Sequence, residues 1–334
     1  MEPLRIGILG AARISALALI HPAQQTGARL VAVAARSRDR AQDFAERHDV
    51  DQVLDTYQDV IDHPEVEVVY NPLANSLHAP WNARVLAAGK HVFTEKPSAA
   101  NADEAQRISE QVGGSSTGQQ FFEGFHYYYH PNIHRLHEII LSGEIGDLQH
   151  VETVMDMQAP AADDPRWSLE LAGGALMDLG CYSLHSLRML RGVNGGEPVI
   201  TAVDGGERGG SPGVDAWVSA TLEYPNGVTG AASCNMQAAD HRMSHRVVGT
   251  RGQAEIVDFV NPHIDDRLIV TTADGARVEQ PGDDSSYTYQ LRALTTAIRT
   301  GTPASTDAVD AVKTMAMIDH CYRALGLPLR QSQV

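Results

Sequence analysis

Short apolar runs alternate with helical periodicity along the first third of the chain. Leu4–Leu9 is an apolar run that ends on Gly10, and Ile14–Thr26 then reads as a helix. Leu30–Ala35 is a second apolar run. Arg38–His48 follows, with Ala41, Phe44 and Ala45 on one helical side. Val66–Tyr70 is a third run, followed by a helix predicted from about Ala79 to Ala88 and stopped by Gly89, a favourable C-terminal cap. A strand at His91–Thr94, a helix at Ala102–Val112 and a strand at Gln119–Glu123 complete the series. Strands alternating with helices in this way predict βαβ units and a parallel sheet.

The pattern changes after Phe125. Pro131–Leu141 is amphipathic at helical spacing, and Leu148–Met157 alternates like a half-exposed strand. A helix is predicted around Ala175–Leu190. A strand-rich stretch from about Val199 to Val270 includes Trp217–Glu223, Val228–Ser233, Arg246–Gly249 and Leu268–Val270. Pro225-Asn226-Gly227 is a hairpin signal, and the Gly-rich segment Gly205–Gly213 reads as a loop. Helices return at Tyr289–Arg299 and Ala308–Ala324. The expected class is α/β, with a nucleotide-binding type of domain over 1–125. A second, α+β domain over 126–334 is expected to carry a large, mostly antiparallel open sheet.

Charge narrows the partners. Acidic residues outnumber basic ones 42 to 26, a net charge of −16. Such a surface disfavours nucleic acid and anionic membranes, and an anionic ligand would need local positive potential. The three cysteines, Cys181, Cys234 and Cys321, have no C-x-x-C spacing, which fits a reducing compartment. The start runs directly into a strand pattern without signal-peptide character, and no apolar run is long enough for a bilayer. A soluble, cytoplasmic protein is expected. Lysine occurs only at Lys90, Lys96 and Lys313, so each invites the question of why arginine would not serve.

Gly10, Ala12 and Ser15 occupy the three positions of a G-x-G-x-x-G fingerprint, and only the first is glycine. Small residues at the other two still let a backbone approach a pyrophosphate at a helix N-terminus. An ordinary strand-to-helix turn would look the same. The second strand ends Ala34-Ala35-Arg36-Ser37-Arg38, without the acid that bonds the ribose of NAD. Arg36, Ser37 and Arg38 suit a 2′-phosphate, which favours NADP over NAD. Together these features predict a Rossmann-type dinucleotide-binding domain. Glu95-Lys96-Pro97 follows the fourth strand, where such sheets bind ligands. Unlike a guanidinium, the Lys96 ammonium can give up a proton or lower a neighbour's pKa.

These motifs resemble the glucose-fructose oxidoreductase and inositol dehydrogenase family (Gfo/Idh/MocA). The resemblance runs through essentially the whole chain. It rests on Gly7-Ile8-Leu9-Gly10-Ala11-Ala12-Arg13-Ile14, Asn75-Ser76-Leu77-His78 and Ala88-Gly89-Lys90-His91-Val92-Phe93-Thr94-Glu95-Lys96-Pro97. It continues through Ser142-Gly143-Glu144-Ile145-Gly146 and Gly173-Gly174-Ala175-Leu176-Met177-Asp178-Leu179-Gly180-Cys181-Tyr182. Within the family the chain is most similar to dimeric dihydrodiol dehydrogenases and NADP-dependent sugar dehydrogenases, which also carry Tyr four residues after the Asp.

The resemblance implies hydride transfer between NADP and a carbinol carbon of a sugar, polyol or cyclic diol. Lys96 and Tyr182 would be the acid–base groups, with Asp178 positioning one of them. Gly10, Ala12, Arg13, Ile14, Arg36, Ser37 and Arg38 would contact the cofactor. So would Asn71, Leu73, Asn75, His78, Glu95, Lys96, Pro97, Arg166 and Trp167. A homodimer or dimer-based tetramer is also implied. Two other activities stay open: a non-catalytic NADP-binding regulator, and an enzyme that retains its cofactor for aldose dismutation or glycoside cleavage. Departures include Ala172 in place of a third leading glycine, a mild change, and Ala35 where relatives often have Ser. His126 stands where relatives tend to have Met, near the expected active site.

His126, His130, His134 and His137 have a spacing reminiscent of metal ligands, but Pro131 interrupts the helix and no nearby acid completes a set, so no metal is expected. Tyr127-Tyr128-Tyr129 reads equally as a sugar-stacking surface or as packing. Cys181 reads as a small buried residue.

Overall fold

Valine, isoleucine, leucine and alanine fill the first strands of the chain, and in the computed structural model these strands are buried on both faces, as a parallel sheet covered by helices requires. The structure describes residues 2–115 and 118–332. They divide into two units: the described residues of Met1–Phe125, Tyr287–Met315 and Gln331–Val334, and those of His126–Ser286 and Ala316–Arg330.

The first unit runs β1 (Arg5–Leu9), a wide helical turn (Ala16–Ile20), α1 (His21–Thr26), β2 (Arg29–Ala34), α2 (Arg38–His48), β3 (Gln52–Val53) and α3 (Tyr57–Asp62). It continues with β4 (Val68–Asn71), α4 (Asn75–Ala87), β5 (His91–Thr94), α5 (Ala102–Gly113) and β6 (Phe121–Glu123). The strand order is β3-β2-β1-β4-β5-β6, and every pairing is parallel. The order reverses between β1 and β4, and ligands bind outside the strand ends at such a switch point.

Helix α4 begins at Asn75, earlier than the predicted Ala79, and holds Pro80 inside. Pro80 is the sixth helical residue, so its missing N–H leaves the Ser76 carbonyl without its usual helix bond. The short β3 and α3 had no counterpart in the hydrophobic pattern.

The second unit holds α6 (Pro131–Leu141), β7 (Leu148–Asp156), a π-type turn (Leu176–Gly180) that leads into α7 (Cys181–Arg188), β8 (Val199–Glu207) and β9 (Asp215–Glu223). Next come β10 (Thr229–Asn235), β11 (Arg242–Gly249), β12 (Gly252–Ile256), β13 (Leu268–Thr272) and β14 (Gly275–Glu279). These strands form one sheet, β14-β13-β12-β11-β7-β10-β9-β8, antiparallel except for the β7–β10 pair. Burial alternates strictly along most of β9, so one face is buried, with the π-type turn against it, while the other is open; α7 packs on the neighbouring β7 and β10.

The predicted loop at Gly205–Gly213 is corrected at its start: β8 continues to Glu207. A Cβ on Gly205 would stand 2.9 Å from Leu325 Cδ1, and one on Gly206 would stand 2.5 Å from Trp217 Nε1. These glycines let side chains lie across the strand.

Two helices complete the chain. Residues 287–300 of α8 (Ser286–Thr300) belong to the first unit, and α9 (Ala308–Ala324) is shared between the units, changing from one to the other after Met315. The sequence reading gave all of 126–334 to the second domain, so the sharing of these segments differs from that expectation. Arg299 donates to both oxygens of Glu67 at 3.2 and 2.6 Å, and Thr306 Oγ1 donates to the Glu123 carbonyl at 2.9 Å. Among the described residues, no helix is long and apolar enough to cross a membrane.

Candidate active site

In the first unit, β1 ends at Gly10, whose φ of 91° requires a glycine-like backbone and whose N–H bonds Ala34 O at 2.7 Å. A Cβ at this position would meet Leu73 Cδ2 at 3.0 Å. The chain passes through half-buried Ala11 and Ala12 into the helical turn. Ser15, at the third fingerprint position, is fully buried, so its small size serves close packing of helix on sheet.

Beside this turn lies a cleft of about 380 Å³ whose wall includes Ala11, Ala12, Arg13, Arg40 and Arg47. Small residues and guanidinium groups at a strand-to-helix turn fit an anionic dinucleotide. Arg36 and Arg13 are exposed. Ser37 caps α2, accepting from Arg40 N at 3.4 Å, and Arg38 pairs with Asp55. Arg40 Nη2 donates to Ala11 O at 3.1 Å, which ties the second strand's tip to the turn. Sequence reasoning missed Arg40; its place one turn beyond the Ser37 cap was the available signal. The Tyr57 hydroxyl also lies near Gly10, and burial raises its pKa against the opposing charge of Arg36.

The tips of β4 and β5 are held by a buried polar network. Asn71 Nδ2 donates to Asn82 Oδ1 at 2.9 Å and to His78 O at 3.2 Å, and Asn71 Oδ1 accepts from Leu73 N at 3.4 Å. His78 sets Nδ1 at 2.7 Å from Pro97 O and Nε2 at 2.9 Å from Leu73 O. Two carbonyls favour a protonated ring, yet burial dominates and pushes its pKa down to about 4. His78 is thus a buried brace between two loops, where the sequence reading placed it lining the nicotinamide pocket. Glu95 accepts from Tyr70 OH at 2.8 Å, and half-buried Lys96 precedes Pro97 through a cis peptide bond. Asn75 opens α4 and is half-buried, as is Leu73; Ile14 is exposed.

In the second unit, Asp178 and Tyr182 are four residues apart and so share one helical face. The π-type turn that carries Asp178 is a departure from regular helix of the kind often found at functional sites. Arg166 Nε donates to Asp178 Oδ2 at 2.6 Å, and Asp164 Oδ1 accepts from Arg166 N at 3.0 Å. Asp178 is the main reason the Arg166 pKa rises. Trp167 is buried beneath Arg208, whose guanidinium carbon is 4.4 Å from the ring centre. The Tyr182 hydroxyl is 3.0 Å from His126 Nε2, and His126 Nδ1 is 2.8 Å from Ser286 Oγ. The sequence flagged His126 but gave it no role, and Ser286 was missed; separations of 56 and 160 residues leave no local signal.

The loop before this helix is anchored. Asp215 Oδ2 accepts from Leu176 N at 2.6 Å, and its Oδ1 accepts from Arg330 Nη2 at 2.7 Å and from Tyr322 OH at 3.1 Å. Arg330 Nε donates to Gly173 O at 2.7 Å. Gly174 has φ of 125° and packs directly against Asp215, so a side chain is excluded there. Ala172, read from sequence as a mild change, has φ of 57°, a left-handed backbone that glycine adopts more easily.

Among the described residues no cluster of His, Cys, Asp or Glu could hold a metal. His130 caps α6 through a bond from Asn132 N. Tyr127 is buried, with its hydroxyl 2.5 Å from His185 Nδ1, so this tyrosine is packed inside.

A doubly wound parallel sheet with a glycine turn at its switch point defines a dinucleotide-binding α/β protein. Residues 4–120 match the model of an oxidoreductase family with an NAD-binding Rossmann fold, and residues 133–255 match the GFO/IDH/MocA C-terminal domain. The chain belongs to the Gfo/Idh/MocA oxidoreductase family. It is 30% identical to D-xylose 1-dehydrogenase (NADP(+)) 2 of Haloferax volcanii, over 96% of this chain and 97% of that protein. It is 33% identical to trans-1,2-dihydrobenzene-1,2-diol dehydrogenase of Bos taurus, over 76% of this chain and 74% of the other. Its fold matches a 3-ketoreductase of Actinomadura kijaniata, solved with NADP and TDP-benzene, with a TM-score of 0.87 and 23% identity over 97% and 98% of the two chains.

Proposed function

We propose that this oxidoreductase uses NADP to interconvert an alcohol and a carbonyl on a sugar, polyol or cyclic diol. The observation that carries the reading is Lys96 at the tip of β5, on the ligand-binding edge of the sheet, in a chain that aligns end to end with an NADP-dependent sugar dehydrogenase. Arg36, Ser37 and Arg40 around the Gly10 turn support NADP over NAD, because β2 ends without an acid that would repel a 2′-phosphate. Arg38 contributes less than its position in sequence suggested, since Asp55 neutralises it.

A nicotinamide bound at the strand ends near Lys96 would supply the hydride acceptor or donor. The chain's own residues handle the proton. Tyr182, a phenol that ordinarily ionises near pH ~10, takes it from the alcohol oxygen, and the Lys96 ammonium is the second candidate acid–base group. Asp178, clamped by Arg166, holds the face of the helix that presents Tyr182.

The test is a direct one. NADP and NAD affinities are measured by fluorescence titration, and aldoses, inositols and trans-dihydrodiols are then offered with NADP while its reduction is followed. The reading expects tighter NADP binding and turnover of at least one polyhydroxy substrate. Tight NADP binding with no turnover across the panel would instead support a regulatory role.

A further inference from the structure

We infer that His126 accepts the proton of Tyr182, and that Ser286 orients the ring for this transfer. The inference rests on the assignment of Tyr182 as the acid–base group.

All three residues lie in the second unit, and all are buried. Tyr182 is enclosed by apolar surface: the ring of Tyr127 is centred 5.9 Å away and that of Phe259 6.5 Å away. A phenol in such surroundings ionises poorly unless its proton has somewhere close to go. His126 Nε2, at 3.0 Å, is that place. His126 Nδ1 lies 2.8 Å from Ser286 Oγ, and in the tautomer that donates Nδ1–H to that hydroxyl the lone pair of Nε2 faces the Tyr182 hydroxyl.

The step balances. Oxidation of a carbinol releases one hydride, taken up by the nicotinamide, and one proton. That proton moves from the alcohol oxygen to the Tyr182 oxygen as Tyr182 passes its own proton to His126 Nε2. The imidazolium then has both N–H groups bonded, one to the Tyr182 oxygen and one to Ser286 Oγ. Tyr182 is again a neutral phenol, so the His126–Tyr182 pair carries one positive charge, the proton gained from the alcohol, until that proton leaves to water. In reduction the same proton returns. An imidazole is suited to this because its ordinary pKa near ~6.5 leaves it neutral and basic at physiological pH.

Other titratable groups around the ring have their own partners. Tyr127 OH lies against His185 Nδ1 on α7. His130, at the start of α6, is pushed down to about 4 by burial, and it interacts with Asp283 and Asp284 on the segment leading to Ser286. A Cβ on Gly282 would overlap the His130 ring, so this segment is packed closely against it. The packing holds Ser286 in reach of His126. His126 acts through Tyr182 and is therefore a positioning residue with an acid–base task.

The variant that separates packing from proton acceptance is His126→Gln. Its amide can still bond Tyr182 but cannot take a proton. The expected result is a fall in kcat at pH 7 of about a hundredfold with KM little changed. The acid limb of the kcat profile should move up from the histidine range toward that of a phenol. Ser286→Ala keeps the ring and should lose about tenfold.

A second readout needs no turnover. The phenolate absorbance of Tyr182, taken as the difference from Tyr182→Phe, should titrate at higher pH in the His126→Gln background. Unchanged kcat profiles and an unchanged phenolate titration would overturn the inference. If the wild-type chain turns over no substrate, the assignment under Proposed function fails, and the phenolate titration alone decides the His126–Tyr182 coupling. If His126→Gln does not fold, the Ser286→Ala profile and titration decide it.

Discussion

Arg36 stands just past the tip of β2, and Arg40, on the first turn of α2, donates to Ala11 O in the Gly10 turn. Their exposure keeps each individual contribution moderate. Arg36→Ala or Arg40→Ala should weaken NADP binding about tenfold and leave NAD binding nearly unchanged. Equal losses for both nucleotides in fluorescence titrations would show that neither guanidinium reads the 2′-phosphate. Buried histidines make a second prediction at this scale. His78 and His130 are pushed down to about 4 and His245 to about 3, in each case mainly by burial. Each folded pKa lies below the unfolded value near ~6.5, so the unfolded chain binds protons first as pH falls. Their stabilisation is complete above pH ~6.5 and is lost progressively down toward the folded values, up to about 3 kcal/mol for His78. Urea midpoints should therefore fall between pH 7 and 4, and His78→Asn should flatten part of that fall. A midpoint that stays level down to pH 4.5 would contradict the assignment.

The helix that carries Asp178 and Tyr182 depends on an anchor outside it. Asp215 and Arg330 are both fully buried, and together they hold Leu176 N, Gly173 O and Tyr322 OH. Removing one member leaves the other charged and buried. Asp215→Ala should cost about 3–5 kcal/mol in urea unfolding, whereas breaking an exposed pair such as Arg29–Asp51 should cost far less. A loss at Asp215 as small as the surface pair's would mean that the loop holds itself. Most elements were legible from periodicity. Arg38–His48, Pro131–Leu141 and Ala308–Ala324 coincide with the predicted helices because their caps and apolar spacing are local. Gln52–Val53 is too short to show a period, and the helix predicted from about Ala79 starts four residues earlier, at Asn75. Gly205 and Gly206 looked like a loop because the side chains that cover them come from distant positions. The site was legible in the same measure. Gly10, Lys96, Asp178 and Tyr182 sit in local motifs, while the bonds from Tyr182 to His126 and from His126 to Ser286 exist only in the folded chain.

At the scale of the molecule, the first unit is completed by segments far along the chain. Arg299 on α8 closes on Glu67, Thr288 Oγ1 donates to Gln25 Oε1 at 2.5 Å, and Ser332 N donates to Glu104 Oε1 at 3.0 Å. Residues 1–125 alone would expose the apolar side of α8's packing surface, including partners of Leu291 and Leu294, which are fully buried in the whole chain. That fragment should unfold at lower urea and less cooperatively than the full chain; an equal midpoint would show that the N-terminal sheet is self-sufficient. The net charge of −16 sets the wider context, because a multiply anionic nucleotide approaches a repelling surface and the arginines beside the Gly10 turn supply local positive potential. Lys96 and Tyr182 are the residues proposed to carry the proton chemistry of an NADP-dependent alcohol–carbonyl conversion. The measurement that addresses this assignment most directly is steady-state NADP reduction by the wild-type chain, Lys96→Met and Tyr182→Phe on the best substrate of the panel, with NADP affinity measured alongside. Each variant should lose at least about a hundredfold in kcat while binding NADP as before. Turnover that survives either substitution at the wild-type rate would contradict the assignment.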